Sequence, residues 1–364
     1  MFSEKDLQAL LDYSADSQVL SVYLNTDPTK INTEAAKLQL RNWLKKVEIP
    51  EDGQKVEDFI NLEYDWSAKT LVLFSAQAVD YFQTYQFNLS APEIMFVGDR
   101  PIIRPLVRLI DAFSGWGVVL VDKQGARFFS FDLGELTKKQ SIDGEEIKQF
   151  KRGGGSMPGR MGAADLSGNI ENVIEQNIKD VIDAASAFFS KHHIRRILIG
   201  GTDDNIARFK DELPKSWQSL VVGELSVGMN ASDSEVWDQA MEEALIIQKK
   251  INQSLVEQAI TLAAKGNNGV IGLTDTLSMI HEGRIKTLLV MQDFEQEGFR
   301  CDGCGHIAIQ AIEICPLCGG SFNRIDAAVE MAVHEALRNN AEVKVISESE
   351  ALEKAGKICG ILRY

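Results

Sequence analysis

The chain has 364 residues and a formal net charge of -15, with 45% hydrophobic and 25% charged residues, the make-up of a globular protein of about two or three domains. Its acidity excludes a protein that coats nucleic acid with its whole surface, yet leaves room for one local basic patch. Apolar runs such as Leu71–Phe74 and Ile197–Ile199 are strand-sized and the opening Met1-Phe-Ser-Glu-Lys-Asp6 lacks a secretory pattern, so a cytoplasmic protein with no membrane partner is expected.

In chain order, a helix-like stretch Glu4–Leu11 precedes a strand, Val19–Leu24, which Asn25-Thr-Asp-Pro28 closes as a turn. Ala36, Leu40, Trp43, Leu44 and Val47 recur at helical spacing and predict a helix over Thr33–Val47. Strands are expected over Thr70–Ser75 and Ala78–Phe87, and the apolar Ile102, Ile103, Leu106, Val107 and Ile110 end the segment. Residues 1–112 therefore read as an α+β domain.

The second segment, 113–232, opens with strands over Gly117–Val121 and Ala126–Phe131. From Gly134 to Leu166 there is almost no apolar periodicity, so this stretch reads as a long loop. A long helix is then expected from Ser167 as N-cap, with Glu171 in its first turn and a stripe through Ile170, Val173, Ile174, Ile178, Val181, Ile182, Ala185, Phe188 and Phe189. His192 and His193 suit its C-terminal dipole. A short strand, Arg196–Ile199, turns through Gly200-Gly-Thr-Asp-Asp204 into a helix, and this turn reads as a cap rather than a phosphate site.

Within the long loop, residues 148–164 stand out. Gly153, Gly154 and Gly155 permit positive φ and close backbone approach, while Lys148, Lys151, Arg152 and Arg160 have no Asp or Glu among them between Ile147 and Ala164. A basic, glycine-rich finger on an acidic chain points to phosphate contact; a solvated flexible loop is the plainer reading. Gly154 and Gly159 come near phosphate-loop spacing but lack the Lys and Ser/Thr that should come after them, which argues against an NTPase. No Ser-His-Asp or Cys-His nucleophile arrangement presents itself.

The third segment, 233–364, opens with a long helix over Ser234–Ala264, and then strand and helix alternate through Thr274–His281, Lys286–Met291, Asp326–Asn339, Glu342–Ile346 and Lys357–Leu362. That order predicts an α/β domain in three layers. Between Met291 and Asp326 stand Cys301-Asp-Gly-Cys304 and Cys315-Pro-Leu-Cys318, two CxxC pairs that can direct four thiolates at one ion. Structural zinc in an inserted ribbon over 299–320 is expected, with a redox or iron role as the alternative, His306 at the rim and Cys359 as a small buried residue. The ribbon can staple a loop that lacks a core or present a binding surface, and the spacing leaves both open.

Taken together, Ser21-Val-Tyr-Leu24, Lys69–Ile110, Gly117–Ala126, Ile280-His-Glu-Gly-Arg-Ile-Lys-Thr-Leu-Leu289, the position of the cysteine insertion, Ala341–Ser347 and the ending Gly360-Ile-Leu-Arg-Tyr364 resemble the class I peptide chain release factors of archaea and eukaryotes, and more closely their bacterial relatives. The resemblance implies three domains and a loop that enters the peptidyl-transferase centre to hydrolyse peptidyl-tRNA. Arg152-Gly-Gly-Gly-Ser156 resembles that family's Arg-Gly-Gly-Gln-Ser, with Gly155 where the family has glutamine. Gly155 keeps a backbone amide for the oxyanion and loses the side chain that tunes the nucleophile. An Asn-Ile-Lys-Ser element is absent and Ile31–Lys37 does not replace it, so stop-codon reading is not expected. The resemblance thus implies a factor acting on the ribosome and the tRNA CCA end, with possible peptidyl-tRNA hydrolysis in rescue and a translational GTPase as a possible partner. The alternative is a ribosome- or tRNA-binding factor of storage or stress that has lost hydrolysis.

Overall fold

The computed structural model describes residues 2–13, 17–145 and 161–364, the side chains of 161–169 excepted. They form a mixed α/β protein of two compact units, one built from Met1–Asp111 with Lys249–Tyr364, the other from Ala112–Gln248. Among the described residues no helix is long and apolar enough to cross a membrane.

The first unit begins with α1 (Glu4–Asp12), β1 (Val19–Asn25), α2 (Thr33–Leu44), α3 (Pro50–Leu62), β2 (Thr70–Ala76), β3 (Tyr81–Phe87), β4 (Ile94–Gly98) and α4 (Arg104–Phe113). Ser3 and Asp6 make a reciprocal capping box at α1 and Pro50 starts α3 where its missing N–H costs nothing. The strands form an antiparallel sheet in the order β3-β2-β1-β4. Leu20, Val22, Leu24, Leu71 and Leu73 on this sheet pack with Leu40 of α2 and with Val56 and Ile60 of α3.

The second unit contains β5 (Trp116–Val121), β6 (Gly125–Asp132), β7 (Glu135–Asp143), α5 (Met161–Lys191), β8 (Arg196–Gly201), α6 (Asp203–Glu212), α7 (Lys215–Gln218), β9 (Val221–Leu225) and the first part of α8 (Asp233–Ala264). Its sheet runs β7-β6-β5-β8-β9, parallel along β5, β8 and β9 and antiparallel across β6 and β7. Val119, Val121, Phe128, Ile197 and Ile199 share a core with Ile174, Ile178, Val181, Ala185 and Phe189 of α5 and with Ile206 and Phe209 of α6. From α8, Trp237 Nε1 donates to the Gly134 carbonyl and Asp233 pairs with Arg127 of β6 at 2.8 Å.

Two expectations fail here. The stretch from Gly134 is not loop throughout, because β7 occupies Glu135–Asp143; as an exposed edge strand with Lys138, Lys139, Gln140 and Ser141 facing water it has no apolar alternation to announce it. Ser167 is not an N-cap, since α5 already begins at Met161 and Ser167 lies inside the helix.

The first unit resumes with β10 (Gly269–Ile271), α9 (Leu273–His281), β11 (Ile285–Met291), β12 (Gly298–Cys301), β13 (Ile307–Ala308), β14 (Phe322–Ile325), α10 (Ala328–Arg338), β15 (Glu342–Ile346), α11 (Glu350–Lys354) and β16 (Ile358–Leu362). A sheet in the order β10-β16-β11-β15 is parallel only between β11 and β15, and β13-β12-β14 make a separate small sheet. Cys359 is fully buried in β16, where burial pushes its thiol up to about 12.

The two parts of this unit meet through buried charge. Glu330 of α10 accepts from the N–H groups of Ile103 (2.6 Å) and Arg104 (3.2 Å) and pairs with Arg104 Nε at 2.6 Å. One carboxylate thus meets the otherwise open N–H groups at the start of α4 and neutralises a guanidinium beside it. Arg104 also donates to the Phe294 carbonyl at 2.7 Å, Tyr23 Oη to that of Ile102 at 2.5 Å, and the His334 ring bonds the Pro101 carbonyl at 2.9 Å.

Candidate metal centre

Cys301, Cys304, Cys315 and Cys318 come together with their sulfurs all within 4.8 Å of one another. The local sequence explains the convergence, because the two CxxCG stretches fold alike. In each, the glycine after the second cysteine donates back to the first cysteine's carbonyl, Gly305 to Cys301 and Gly319 to Cys315, both at 2.9 Å. In each, the first cysteine's N–H is taken five residues on, by His306 O and Gly320 O, both at 2.8 Å. These glycines have φ of 75° and 76°, a left-handed conformation that a side chain would strain. Gly303 and Gly320 serve differently: a Cβ at either would lie 2.9 Å and 3.1 Å from the sulfurs of Cys318 and Cys301 respectively.

Cys301 and Cys318 lie 3.4 Å apart through their sulfurs and Cys304 and Cys315 3.7 Å, and the cysteines are unbridged. A tetrahedral ion with metal–sulfur bonds of about 2.3 Å would set sulfur–sulfur edges of about 3.8 Å. The donor set therefore fits a metal ion. The backbone N–H of Cys304 leads in holding the Cys301 thiol down, to about 7. Four thiolates so close would repel one another strongly, and a divalent cation among them removes that repulsion. His306 stands outside the set, its ring 5.1 Å from His281 and 6.3 Å from Phe322.

Gly153, Gly154 and Gly155, with Lys148, Lys151, Arg152 and Arg160, lie outside the described residues. The chain that leads to them is described, and it is clamped. Asn177 of α5, 2% exposed, accepts from the Glu145 N–H at 2.8 Å and donates to the carbonyls of Glu145 (3.0 Å) and Lys123 (3.2 Å). A Cβ at Gly144 would fall 2.3 Å from Asn177 Oδ1, so glycine there is a requirement of the clamp. Neither Asn177 nor the Arg104–Glu330 pair is foreshadowed by a motif; an Asn on the apolar stripe of α5 was the only available sign of the former.

Residues 101–245 match the family model described as bacterial archaeo-eukaryotic release factor family 10. No curated protein matches the chain. Among solved structures, an archaeal translation termination factor, aRF1, is 18% identical with TM-score 0.25, covering 99% of this chain and 96% of its own. Pelota of Archaeoglobus fulgidus is 14% identical with TM-score 0.36, covering 99% and 92%. Dom34 of S. cerevisiae, a translation termination-like factor, is 12% identical with TM-score 0.44, covering 83% and 82%. The match over residues 101–245 supports a release-factor-like family for this stretch of the chain.

Proposed function

We propose that this chain is a ribosome-associated factor that acts on peptidyl-tRNA in rescue or peptide release without reading a stop codon. The carrying observation is the family match over residues 101–245, which includes the basic stretch Lys151-Arg-Gly-Gly-Gly-Ser156. In this reading the Gly155 backbone N–H stabilises the developing oxyanion, Gly153 and Gly154 allow the backbone to approach the ester, and Lys148, Lys151, Arg152 and Arg160 hold phosphates near the CCA end. Segments 1–112, 113–232 and 233–364 act as the three working parts, the middle one bearing the loop and the last the ribbon. Cys301, Cys304, Cys315 and Cys318 hold a structural zinc ion, which their all-sulfur donor set suits better than a catalytic one, because it leaves no open position. A translational GTPase would deliver the factor.

Gly155 in place of glutamine favours a second reading, a ribosome-binding factor without hydrolysis. Peptide release from stalled ribosomes carrying labelled peptidyl-tRNA separates the two. Release by the native chain, abolished in Gly153→Ala/Gly154→Ala, supports hydrolysis through backbone donors. Binding without release, with activity gained only in Gly155→Gln, would establish the second reading.

A further inference from the structure

The second unit is electrically lopsided along its strands. Where α5 ends and β8 begins, the sequence reads Lys191-His-His-Ile-Arg-Arg196, basic side chains on both sides of Ile194 with no acid among them, in a chain of net charge -15. Past the opposite strand ends stand Asp122, Asp143, Glu145, Asp203 and Asp204. The six residues of β5 put about 20 Å between these ends.

The fold displays the cations rather than hiding them. Ile194 is 4% exposed and fills the space over Gly117, where a Cβ would meet its Cγ2 at 2.8 Å. That one apolar anchor lets the residues on both sides face outward. His193 turns the chain with φ of 52°, and the N–H groups of Arg195 and Arg196 both donate to the Gly115 carbonyl, at 2.8 Å and 3.2 Å. Arg196 stands 5.4 Å over the Trp116 ring, which orients its guanidinium, and His192 lies 4.6 Å from the Phe188 ring. Lys138, Lys191, His193 and Arg195 are exposed.

Strand pairing carries the strip across the sheet. Arg196 pairs with Trp116, Trp116 with Phe131, and Lys138 with Ser130 beside it. Ser130 shares the α5 face of the sheet with Phe128, whereas Arg196 and Trp116 share the opposite face, so Lys138 and Arg196 flank this end of the sheet from its two sides, three strands apart, and together can meet more than one phosphate. Burial first, and then Lys191, Lys138 and His193, hold the His192 pKa down, the mark of cations crowded together. Asp132, which accepts from the Gly115 N–H at 3.2 Å, and Glu135 are carboxylates at this end, and the exposed Asp211 and Glu212 close α6 on its far side, before β9. Arg195, Arg196 and Glu135 each have partners within the protein, and a guanidinium with five N–H donors retains some for a ligand.

We propose that Lys138, Lys191, His192, His193, Arg195 and Arg196 form an RNA-binding strip that takes the phosphodiester backbone of a structured RNA. A strip spread over several strands fits an extended polyanion better than a single small anion. The acidic remainder of the chain would repel RNA elsewhere and so fix which end docks. The strip is separate from the glycine-rich segment, and it does not require that the chain release peptide.

The test is fluorescence anisotropy of a labelled RNA hairpin of about 20 base pairs, titrated with the full chain between 50 and 200 mM KCl. Native protein should bind and weaken steeply with salt. Lys138→Glu/Lys191→Glu, both at exposed positions, should weaken binding at least tenfold and lower the salt slope by about two. Arg195→Gln should lower it by about one, and Lys148→Glu/Lys151→Glu reports the glycine-rich segment separately. No RNA binding by the native chain overturns the proposal, as does an unchanged affinity and slope in the Lys138/Lys191 variant. A native chain that releases peptide on isolated ribosomes but binds no RNA would leave the release reading standing alone, and one that binds RNA through these residues without releasing peptide would leave the strip.

Discussion

Glu330 and Arg104 show what single residues contribute here. Their side chains are 2% and 8% exposed and lie 2.6 Å apart, and Glu330 also satisfies two backbone N–H groups at the start of α4. Removing one member of such a pair leaves a charge uncompensated in a poorly solvated place, so Glu330→Ala should lower stability by about 3–5 kcal/mol. Urea unfolding measures this, and a loss under about 1 kcal/mol would show the pair to be dispensable. His334, one turn along α10, makes a pH prediction. Its neutral ring bonds the Pro101 carbonyl through Nε2 while Nδ1 has no partner among the described residues. Burial leads in lowering its pKa, Arg100 and Arg338 add to this, and Glu330 and the Pro101 carbonyl oppose it. With the folded pKa below the ordinary value of about 6.5, the unfolded chain binds the proton more readily, so stability is full above that pH and declines as pH falls through it. Urea midpoints between pH 8 and 5 should therefore fall more steeply for the native chain than for His334→Gln; parallel slopes would assign the acid sensitivity elsewhere.

At the level of elements, legibility tracked how local the cause was. The four cysteines of the candidate centre were readable because each knuckle is a six-residue unit, Cys-x-x-Cys-Gly followed by one residue, whose backbone bonds close on themselves. The stripe of α5 was readable from 3.6-residue spacing, but its start at Met161 was not, because the residues before Ile170 carry no regular apolar side. β7 escaped because an edge strand is held by ladder bonds to β6 and not by buried side chains of its own. Asn177 and its clamp on Gly144 depend on contacts 32 and 54 positions away in sequence, to Glu145 and Lys123, which no spacing rule reaches. The ribbon also yields a prediction. Its strands are two to four residues long and bury little core of their own, so in the proposed function an ion held by the four cysteines would supply the missing free energy. Stripping the metal with a chelator, or replacing Cys304 and Cys315 by Ser, should raise amide exchange in β12, β13 and β14 by at least tenfold while β5 and β8 keep their protection. Equal protection with and without metal would mean that the ribbon is held by packing alone.

On the scale of the molecule, chain order and compactness part company. Arg104 meets Glu330 across 226 positions and Lys344 meets Asp111 across 233, at 2.5 Å, so the first unit needs both of its sequence segments. The second unit closes on itself: Phe128, Phe189 and Phe209 are fully buried in one cluster with β5, β8, α5 and α6. Residues 112–248 expressed alone should then fold cooperatively, with native far-ultraviolet circular dichroism and a single melting transition. Residues 1–111 alone should not, because Arg104 and Asp111 would lose Glu330 and Lys344, and α4 would lose the carboxylate at its N-terminus. The whole chain should melt in two calorimetric steps, with chelation shifting the step that belongs to the ribbon-bearing unit and sparing the other. A single step that chelation lowers as a whole would mean that the ion's stabilisation is shared across both units, and the separate folding of 112–248 would be refuted with it.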